Sequence, residues 1–510
     1  MTRRFFLLIP LVVLLLLAKP ALAASRTAEI DPRVWTDLAG GPAHLIVRLQ
    51  DVPQSPSIPQ ISSLLQDPAT RQVASLRVSA RSAQADLLAE LQSLGVTYRA
   101  YWIVNAVALE AGPALVERLS RRTGVLEIES DRAFQVPLET AAPADAVPSA
   151  PPGPDTLAQV LVVEPGLDLV HAPALWAIGV RGQGMVVASA DTGVTWNHPA
   201  LQSQYRGWNG STANHNYNWW DAIHSQLSSD PNICGFSSLV PCDDFGHGTH
   251  TIGTAVGSDG AANQIGMAPG AKWIACRNMD NGKGSPSTYI ECLQFFLTPT
   301  DLAGNNADPA LRPHVIDNSY SCPPSEGCQT NSLHDAVQQV RAAGIFMAVS
   351  TGNSGPACSA ISAPPALEAG VFTVGGVGPG TQVYPASSRG PVLDNGVALL
   401  KPDLVAPAVS IRSSLSNLGY GSKTGTSMAA PHVAGGVALL WSAIPSLRRN
   451  LAATETLLRQ TAAPLPVNET CGGLPALAVP NNTTGWGLLD VLAAYQKMTH
   501  NRVYLPAVHR

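Results

Sequence analysis

Three residues of this chain have the side-chain chemistry of a nucleophile, a general base and an acid that orients the base. Ser427 comes shortly after Gly425, His247 stands between two glycines, and Asp191 ends an apolar run. A serine hydroxyl is a weak nucleophile near neutral pH, so an imidazole must take its proton and a carboxylate must stabilise the imidazolium. The three residues therefore predict acyl transfer by a catalytic triad, provided that the fold brings them together.

The residues around Ser427 predict a buried helix that holds the serine still. Gly425 permits a tight approach to the helix, and the mostly small or apolar residues 429–440 indicate burial on nearly every side. We expect Pro431 to lie in the first turn, where backbone amides lack partners within the helix. The helix start directs N–H groups and a partial positive charge at an oxyanion beside Ser427. On composition alone, a serine that merely caps the helix is the alternative.

Asp191 and His247 are expected on separate elements. The apolar run Val186–Asp191 ends in a carboxylate and a glycine turn, which predicts a buried strand that brings Asp191 to the C-terminal edge of a sheet. His247 leads into a predicted helix. Three other histidines, His198, His250 and His432, are interpreted as structural.

At these residues the chain resembles the subtilisin-like (subtilase) serine protease family. Its three signatures are matched by Ala190-Asp191-Thr192-Gly193, Gly246-His247-Gly248-Thr249-His250 and Gly425-Thr426-Ser427-Met428-Ala429-Ala430-Pro431. The order Asp, His, Ser is that of subtilisin, whereas α/β-hydrolases place the serine first. Three further segments are most similar to the bacillopeptidase F-like branch of the family. These are Cys276-Arg277-Asn278-Met279, Glu291-Cys292-Leu293-Gln294 and Glu326-Gly327-Cys328.

The resemblance implies further site residues. Asn353 matches the family's oxyanion-hole asparagine, whose side-chain amide donates to the tetrahedral intermediate. An extended substrate would pair through its main chain with Ser319, Tyr320 and Ser321 on one side and with Gly284 on the other. From the residues alone, an asparagine between two glycines is usually a turn residue, and this is the alternative for Asn353.

Two departures from the family pattern affect specificity and metal binding. Ser321 stands where the family has a glycine in the wall of the first specificity pocket, and a β-carbon there is expected either to narrow the pocket or to tilt the strand that pairs with substrate. Ala200 stands where many relatives have a calcium-binding aspartate, so the usual calcium site is predicted to be absent and no cofactor is predicted to be required. The alternative ligands for another calcium site are Asp230, Asp243 and Asp259.

Composition and the first residues indicate an exported protein. The 510 residues carry a net charge of −5 and 13% charged side chains, against about 25% in typical proteins, so nothing predicts a nucleic-acid partner.

Arg3 and Arg4 precede an apolar run over residues 5–18 and the segment Ala21-Leu22-Ala23, the pattern of a cleavable signal peptide over residues 1–23. A membrane anchor is the alternative, but the run is shorter than the about 20 residues of a spanning helix. We therefore predict a secreted protein with no membrane association after signal removal.

The cysteines support the same compartment, since an even number in an exported chain points to disulfides. Close spacing favours Cys234 with Cys242 and Cys322 with Cys328 among the eight. The pairs that remain as guesses are Cys276 with Cys292 and Cys358 with Cys471. Metal binding is the alternative, but no CxxC or paired His/Cys spacing is present.

A separate module precedes the predicted catalytic domain. Residues 43–135 contain strand and helix patterns in the order β-α-β-β-α-β, which is that of a ferredoxin-like α+β fold. The module resembles the inhibitor-type propeptide of subtilases, which assists folding and then occupies the active site with its C-terminal end. An accessory binding domain is the alternative. An Ala/Pro-rich linker over residues 136–156 follows, and its prolines keep it extended and open to cleavage.

Alternating buried strands and helices over residues 157–497 predict an α/β catalytic domain with a parallel sheet, followed by a tail over residues 498–510. The predicted function is that of a secreted serine endopeptidase made as a zymogen. Its partners would be protein or peptide substrates and its own propeptide, which acts as chaperone and inhibitor. The alternatives are a catalytically silent binding protein on a protease scaffold and an esterase, but no triad member is missing and no GxSxG elbow surrounds Ser427.

Overall fold

A computed structural model describes residues 27–51, 67–135, 162–394 and 397–500. The predicted signal peptide, the predicted linker over residues 136–156 and residues 501–510 of the predicted tail lie outside this range. The described strands between residues 29 and 130 form one sheet, and a larger α/β unit extends from residue 162 to residue 500.

The amino-terminal unit is a five-stranded sheet with its helices. Its strands lie in the order β1-β5-β2-β4-β3, with β1 parallel to β5 and the other neighbours antiparallel. From β2 to β5 the described elements follow the order β-α-β-β-α-β, while β1 and α1 precede the predicted residues 43–135. The elements are β1 (Glu29–Ile30), α1 (Pro32–Leu38), β2 (Ala43–Leu49), α2 (Pro68–Ser93), β3 (Tyr98–Tyr101), β4 (Ala106–Ala111), α3 (Pro113–Ser120) and β5 (Val125–Ser130), with β6 (Phe134–Gln135) after them.

The larger unit contains a seven-stranded sheet in which every pairing is parallel, as predicted. Its strand order is β18-β15-β14-β13-β8-β11-β9. The strands of the unit are β7 (Val162–Val163), β8 (Val186–Asp191), β9 (Trp219–Asp221), β10 (Asn263–Gln264), β11 (Lys272–Arg277), β12 (Lys283–Gly284), β13 (Val315–Asn318), β14 (Phe346–Ser350), β15 (Phe372–Val377), β16 (Val392–Asp394), β17 (Val397–Leu399), β18 (Leu404–Pro407), β19 (Ile411–Ser414) and β20 (Tyr420–Lys423). Its helices are α4 (Pro165–Leu169), α5 (Ala172–Ala177), α6 (His247–Val256), α7 (Pro286–Leu297), α8 (His334–Ala342), α9 (Thr426–Ala443), α10 (Leu451–Thr461) and α11 (Val491–His500).

Helices cover both faces of the parallel sheet. Val187 and Val315 pack with α6 and α9 on one face, whereas Ala188 and Ile316 pack with α7 and α8 on the other. Because side chains alternate along a strand, Asp191 at the end of β8 faces the same side as Val187. The sheet therefore presents Asp191 towards α6 and α9.

One face of the five-stranded sheet packs against α7 and α8. Ile46 and Ala108 of that sheet belong to the same hydrophobic cluster as Leu293 of α7 and Val337 of α8. The opposite face forms the unit's own core with its helices. Burial of apolar surface therefore holds the two units together, since an apolar contact is stabilised in proportion to the area removed from water.

Four disulfides join the eight cysteines. The pairs are Cys234–Cys242, Cys276–Cys292, Cys322–Cys328 and Cys358–Cys471. These are the four predicted pairings, including the two guesses. Cys276–Cys292 ties β11 to α7, and Cys358–Cys471 closes the longest loop, with a sequence separation of 113 residues.

Candidate active site

Asp191 and His247 are hydrogen-bonded to each other in the interior. Gly246 has a φ of 83°, a conformation that glycine adopts readily, and the turn it makes places His247 at the first position of α6. His247 Nδ1 donates to the Asp191 carboxylate, at 2.8 Å from Oδ1 and 2.9 Å from Oδ2. The two side chains are 0% and 1% exposed. Since Nδ1–H is committed to Asp191, Nε2 is the ring atom whose lone pair can take a proton.

Ser427 is the second residue of α9, and this helix packs directly against α6. Gly435 permits the close approach, because a β-carbon there would lie 2.5 Å from the Ala255 carbonyl oxygen of α6. Ser427 is 2% exposed, and its Oγ donates to the Ser319 carbonyl oxygen at 2.9 Å. The helix is buried along almost its whole length, as predicted.

The prediction for Pro431 is wrong. Since α9 begins at Thr426, Pro431 is its sixth residue and lies in the second turn. There a residue would normally donate its N–H to the carbonyl four residues earlier, which is that of Ser427, and proline has no N–H. Ser319 Oγ supplies the missing hydrogen bond, since it donates to the Ser427 carbonyl oxygen at 2.9 Å.

Asn353 lies beside the start of α9. Its Oδ1 accepts from the Thr426 backbone N–H at 2.9 Å and from Thr426 Oγ1 at 3.1 Å. These two bonds commit the acceptor side of the amide to Thr426, so the donor side is the Nδ2 group. An amide donor held next to Ser427 is suited to stabilise an oxyanion that forms there.

Gly284, predicted to bind substrate, is paired with the chain's own amino-terminal segment. Strand β6 runs antiparallel to β12, with Gly284 opposite Phe134 and Lys283 opposite Gln135. A β-carbon on Gly284 would lie 2.1 Å from the Tyr289 hydroxyl oxygen, so this edge is closely backed by α7. Antiparallel addition of a strand is the main-chain pairing expected of an extended peptide.

The predicted substrate residues on the other side are largely covered. Ser319 and Tyr320 are buried and Ser321 is partly exposed. The Tyr320 ring stacks on that of Tyr289, with centroids 4.3 Å apart and an interplanar angle of 16°. The Tyr289 hydroxyl donates to Glu326 Oε2 at 2.8 Å, and burial raises the pKa of the Glu326 carboxyl well above its ordinary value. Sequence reasoning gave no role to Tyr289 or Glu326, although Glu326 begins one of the three segments that are similar to the bacillopeptidase F-like branch.

Two acidic residues of the amino-terminal unit accept hydrogen bonds from residues near the starts of α7 and α8. Asp131 Oδ1 accepts from the Ser287 N–H in the first turn of α7 at 2.8 Å, and Glu129 Oε2 accepts from Ser332 Oγ just before α8 at 2.7 Å. Negative charge at a helix N-terminus interacts favourably with the helix dipole. Burial raises the pKa of the Asp131 carboxyl to about 6. Both contacts attach the chain just before β6 to the larger unit.

The other histidines have structural surroundings. Each donates from one ring nitrogen to a backbone carbonyl oxygen, at 2.8 Å for His198, 3.1 Å for His250 and 2.8 Å for His432. Burial lowers the pKa of all three imidazoles, that of His432 to about 4. They are therefore neutral at physiological pH.

The alternative calcium ligands already have protein partners. Asp230 accepts a hydrogen bond from Ser228 Oγ at 3.4 Å. Asp243 accepts from Thr192 Oγ1 and from the backbone N–H of Thr249, and Asp259 accepts from the N–H of Ala261. Within the described ranges, no group of three or more His, Cys, Asp or Glu side chains is arranged to hold a metal ion. That no calcium is required stays a prediction for experiment.

None of the helices in the described part of the chain is both long and apolar enough to cross a bilayer.

A parallel α/β sheet with an Asp–His pair at the start of one helix, and a serine at the start of a second helix packed against the first, has the architecture of a subtilisin-like protein. The model of the subtilase family matches residues 182–487. Bacillopeptidase F of Bacillus subtilis (strain 168) is 34% identical over 441 residues, which are 84% of this chain and 28% of that protein. The major intracellular serine protease of the same organism is 30% identical over 317 residues, 60% of this chain and 85% of that protein. Subtilisin E is 30% identical over 306 residues, 58% of this chain and 66% of that protein.

The chain belongs to the subtilase family, as predicted from its motifs. The matched range contains Asp191, His247, Asn353 and Ser427. The chain spans only 28% of the length of bacillopeptidase F.

Proposed function

We propose that this protein is a secreted serine endopeptidase made as a zymogen. The observation that carries the proposal is the buried hydrogen bond from His247 Nδ1 to Asp191 at the start of α6, against which the helix of Ser427 packs. The names of the similar proteins, a serine protease and subtilisins among them, support the same reaction class.

The geometry supports a mechanism in which each residue has one role. The Ser427 hydroxyl turns its hydrogen from the Ser319 carbonyl towards His247 Nε2, and Oγ attacks the peptide carbonyl carbon. His247 takes the proton and later delivers it to the leaving amine, while Asp191 stabilises the imidazolium. The Asn353 amide and the Ser427 N–H donate to the oxyanion. Water then hydrolyses the acyl-enzyme by the same route.

The substrate is proposed to lie extended between β12 and residues 319–321. The pairing of β6 with β12 supports this placement, because it is a main-chain ladder formed by a peptide of the same chain. The amino-terminal unit therefore occupies the edge that a substrate would use. We propose that it is a propeptide, a chaperone during folding and an inhibitor until it is removed.

Secretion is supported by the cysteines. All eight are in disulfides, which persist in oxidising compartments and are rare in a reducing cytosol. A signal peptide over residues 1–23 is part of the same proposal. We propose further that no cofactor is required, since the mechanism uses only protein groups.

The test is self-processing of the full chain in a host that lacks other exported proteases. We expect wild type to lose the amino-terminal unit and to cleave casein in a manner blocked by a serine-directed inhibitor, and Ser427→Ala to accumulate as precursor. Ser442→Ala is the matched control, since this serine lies on the same helix and donates to the Leu439 carbonyl oxygen. It should process like wild type. Gels and N-terminal sequencing give the readout.

Each alternative predicts a different result. A wild-type protein that binds casein without cleaving it would be a silent binding module, and one that hydrolyses only short esters would be an esterase. Mature-size Ser427→Ala would refute self-cleavage by this serine. An active wild type that retains residues 43–135 would refute the propeptide assignment.

A further inference from the structure

Asp317 is a buried carboxyl group that the proposed triad does not use. It is the third residue of β13, it is 1% exposed, and it pairs in the sheet with Ser189 of β8, close to Asp191. Its Oδ1 lies 3.1 Å from Ser319 Oγ. We propose that Asp317 carries a proton and donates it to Ser319 Oγ, so that it fixes the hydroxyl that holds the Ser427 carbonyl. Asp317 is then a positioning residue for the nucleophile, which rests on the proposed role of Ser427.

The number of hydrogens at Ser319 Oγ supports a protonated Asp317. This oxygen lies 2.9 Å from the Ser427 carbonyl oxygen and 3.1 Å from Asp317 Oδ1. A carbonyl oxygen and an ionised carboxylate can only accept, and a serine hydroxyl has one hydrogen to donate. With Asp317 ionised, one of the two contacts would have no hydrogen. With Asp317 protonated, its O–H supplies the second hydrogen and both contacts are hydrogen bonds.

Pro431 decides which way the Ser319 hydrogen points. The Ser427 carbonyl has no donor at the fourth residue after it, because that residue is Pro431. Ser319 Oγ, 2.9 Å from this carbonyl oxygen, donates in place of the missing amide. In the contact between Asp317 and Ser319, Asp317 must therefore be the hydrogen-bond donor. The result is a chain of hydrogen bonds from Asp317 to Ser319 Oγ and from Ser319 Oγ to the Ser427 carbonyl.

The surroundings of Asp317 disfavour its charged form. Burial raises its pKa to about 8, and the negative charge of Asp191 on β8 acts in the same direction, while His247 on α6 and the nearby hydroxyl groups of Ser319 and Thr251 oppose it. Asp317 Oδ2 has no hydrogen-bond partner among the described residues. A buried oxygen without a partner is tolerated better on a neutral acid than on an anion.

No other charge from the neighbouring elements faces this carboxyl. Strand β14, which places Ala348 opposite Asp317, contains no titratable side chain. Helix α9 carries His432 as its sole titratable residue, and α6 carries His250 besides His247. The imidazoles of His432 and His250 donate to backbone carbonyl oxygens, and burial lowers both pKa values. Asp191 and His247 are therefore the charges that matter.

The experiment compares kcat and KM of processed wild type, Asp317→Ala and Asp317→Asn from weakly acidic to strongly alkaline pH. We expect Asp317→Ala to lower kcat about tenfold with little change in KM, as the loss of one positioning hydrogen bond implies. Asp317→Asn restores a donor to Ser319 Oγ and should recover most of that loss. Wild-type kcat should fall as pH rises through about 8, because an ionised Asp317 cannot donate. The Asn variant should lack this fall.

Two further measurements test the assignment in case Asp317→Ala does not fold. In a Ser319→Ala background, which has no Oγ to hold, changing Asp317 to Asn should cause no further loss of kcat. Carboxyl ¹³C NMR of the Ser427→Ala precursor should show one buried aspartate signal that is still protonated at neutral pH and absent from Ser427→Ala with Asp317→Asn.

Two results would overturn the assignment of Asp317. One is an alkaline fall in kcat that persists unchanged in the Asn variant. The other is an NMR titration in which Asp317 is ionised at neutral pH. Failure of wild type to hydrolyse any peptide would instead refute the proposed function, and the NMR titration would still decide the protonation of Asp317.

Discussion

Ser319 and Ser427 form a reciprocal pair, in which the hydroxyl of each donates to the backbone carbonyl of the other at 2.9 Å. One bond repairs the helix at the carbonyl that Pro431 leaves without an amide donor. The other holds the hydroxyl group of the proposed nucleophile close to the Ser319 backbone. These two bonds join the segment that follows strand β13 to helix α9 at the proposed nucleophile. The position of Ser427 therefore depends on a serine 108 residues earlier in the chain.

The first prediction concerns the oxyanion donor. Asn353→Ala should lower kcat by roughly 10²- to 10³-fold with little effect on KM, because it removes a donor used in the transition state. Asn353→Asp is the matched variant, since it keeps an acceptor for Thr426 and removes the Nδ2 donor. It should lose at least as much activity as Ala. Near-normal kcat in Asn353→Asp would exclude Asn353 from the oxyanion hole.

The second prediction is a pH dependence of the precursor's stability that arises from Asp131. The pKa of this carboxyl is raised from its model-compound value of 3.8 to about 6 by burial against α7. The folded precursor therefore holds a proton that the unfolded chain has lost, so its free energy of unfolding falls as pH rises from about 4 to about 6. In the Ser427→Ala precursor, the free energy of unfolding should fall by on the order of 1 to 3 kcal/mol across this pH range. Asp131→Asn in the same precursor should remove that fall, because an amide does not titrate. Denaturant titrations at each pH measure it, and an unchanged slope would contradict it.

The third prediction concerns the cysteines. Alkylation after denaturation without reductant should label none of the eight in exported protein, since all of them are paired in the structure. The same treatment after reduction should label all eight and is the control. Mass spectrometry that found four or more free thiols in the unreduced sample would show that the exported chain is not oxidised as described.

The fourth prediction concerns specificity. Ser321→Gly should raise kcat/KM for substrates with large side chains before the cleaved bond relative to small ones, because it removes a β-carbon from the proposed pocket wall. The partial exposure of Ser321, next to buried Tyr320, is consistent with a lining position. Kinetics on paired peptides that differ only at this residue supply the ratio. An unchanged ratio means that Ser321 does not line the pocket.

Much of the architecture could be predicted from local sequence. Buried strands that end in polar turns indicated the parallel sheet, because a strand covered on both faces is apolar throughout. The small residues of α9 indicated a buried helix, since close packing against α6 leaves no room for larger side chains at Gly435. Two of the disulfides, Cys234–Cys242 and Cys322–Cys328, could be predicted because their cysteines lie close together in the sequence.

The position of Pro431 shows where local reasoning failed. A helix start is uncertain by one or two residues from sequence, and such a shift decides which carbonyl loses its donor. The repair comes from Ser319 on another element, which no local pattern reveals. The same holds for Asp131, which meets Ser287 156 residues away.

The sequence by itself determined the family, the identity of the three motif residues and the alternation of strands and helices, because each depends on residue types within short segments. Only the tertiary structure decided that Asp191 receives the Nδ1 hydrogen bond of His247, that β6 lies against β12, and that Asp317 meets Ser319 beside Ser427. Such contacts depend on which strands are neighbours and which helices cover them. Burial then sets the protonation of the groups enclosed, and burial is a property of the whole fold.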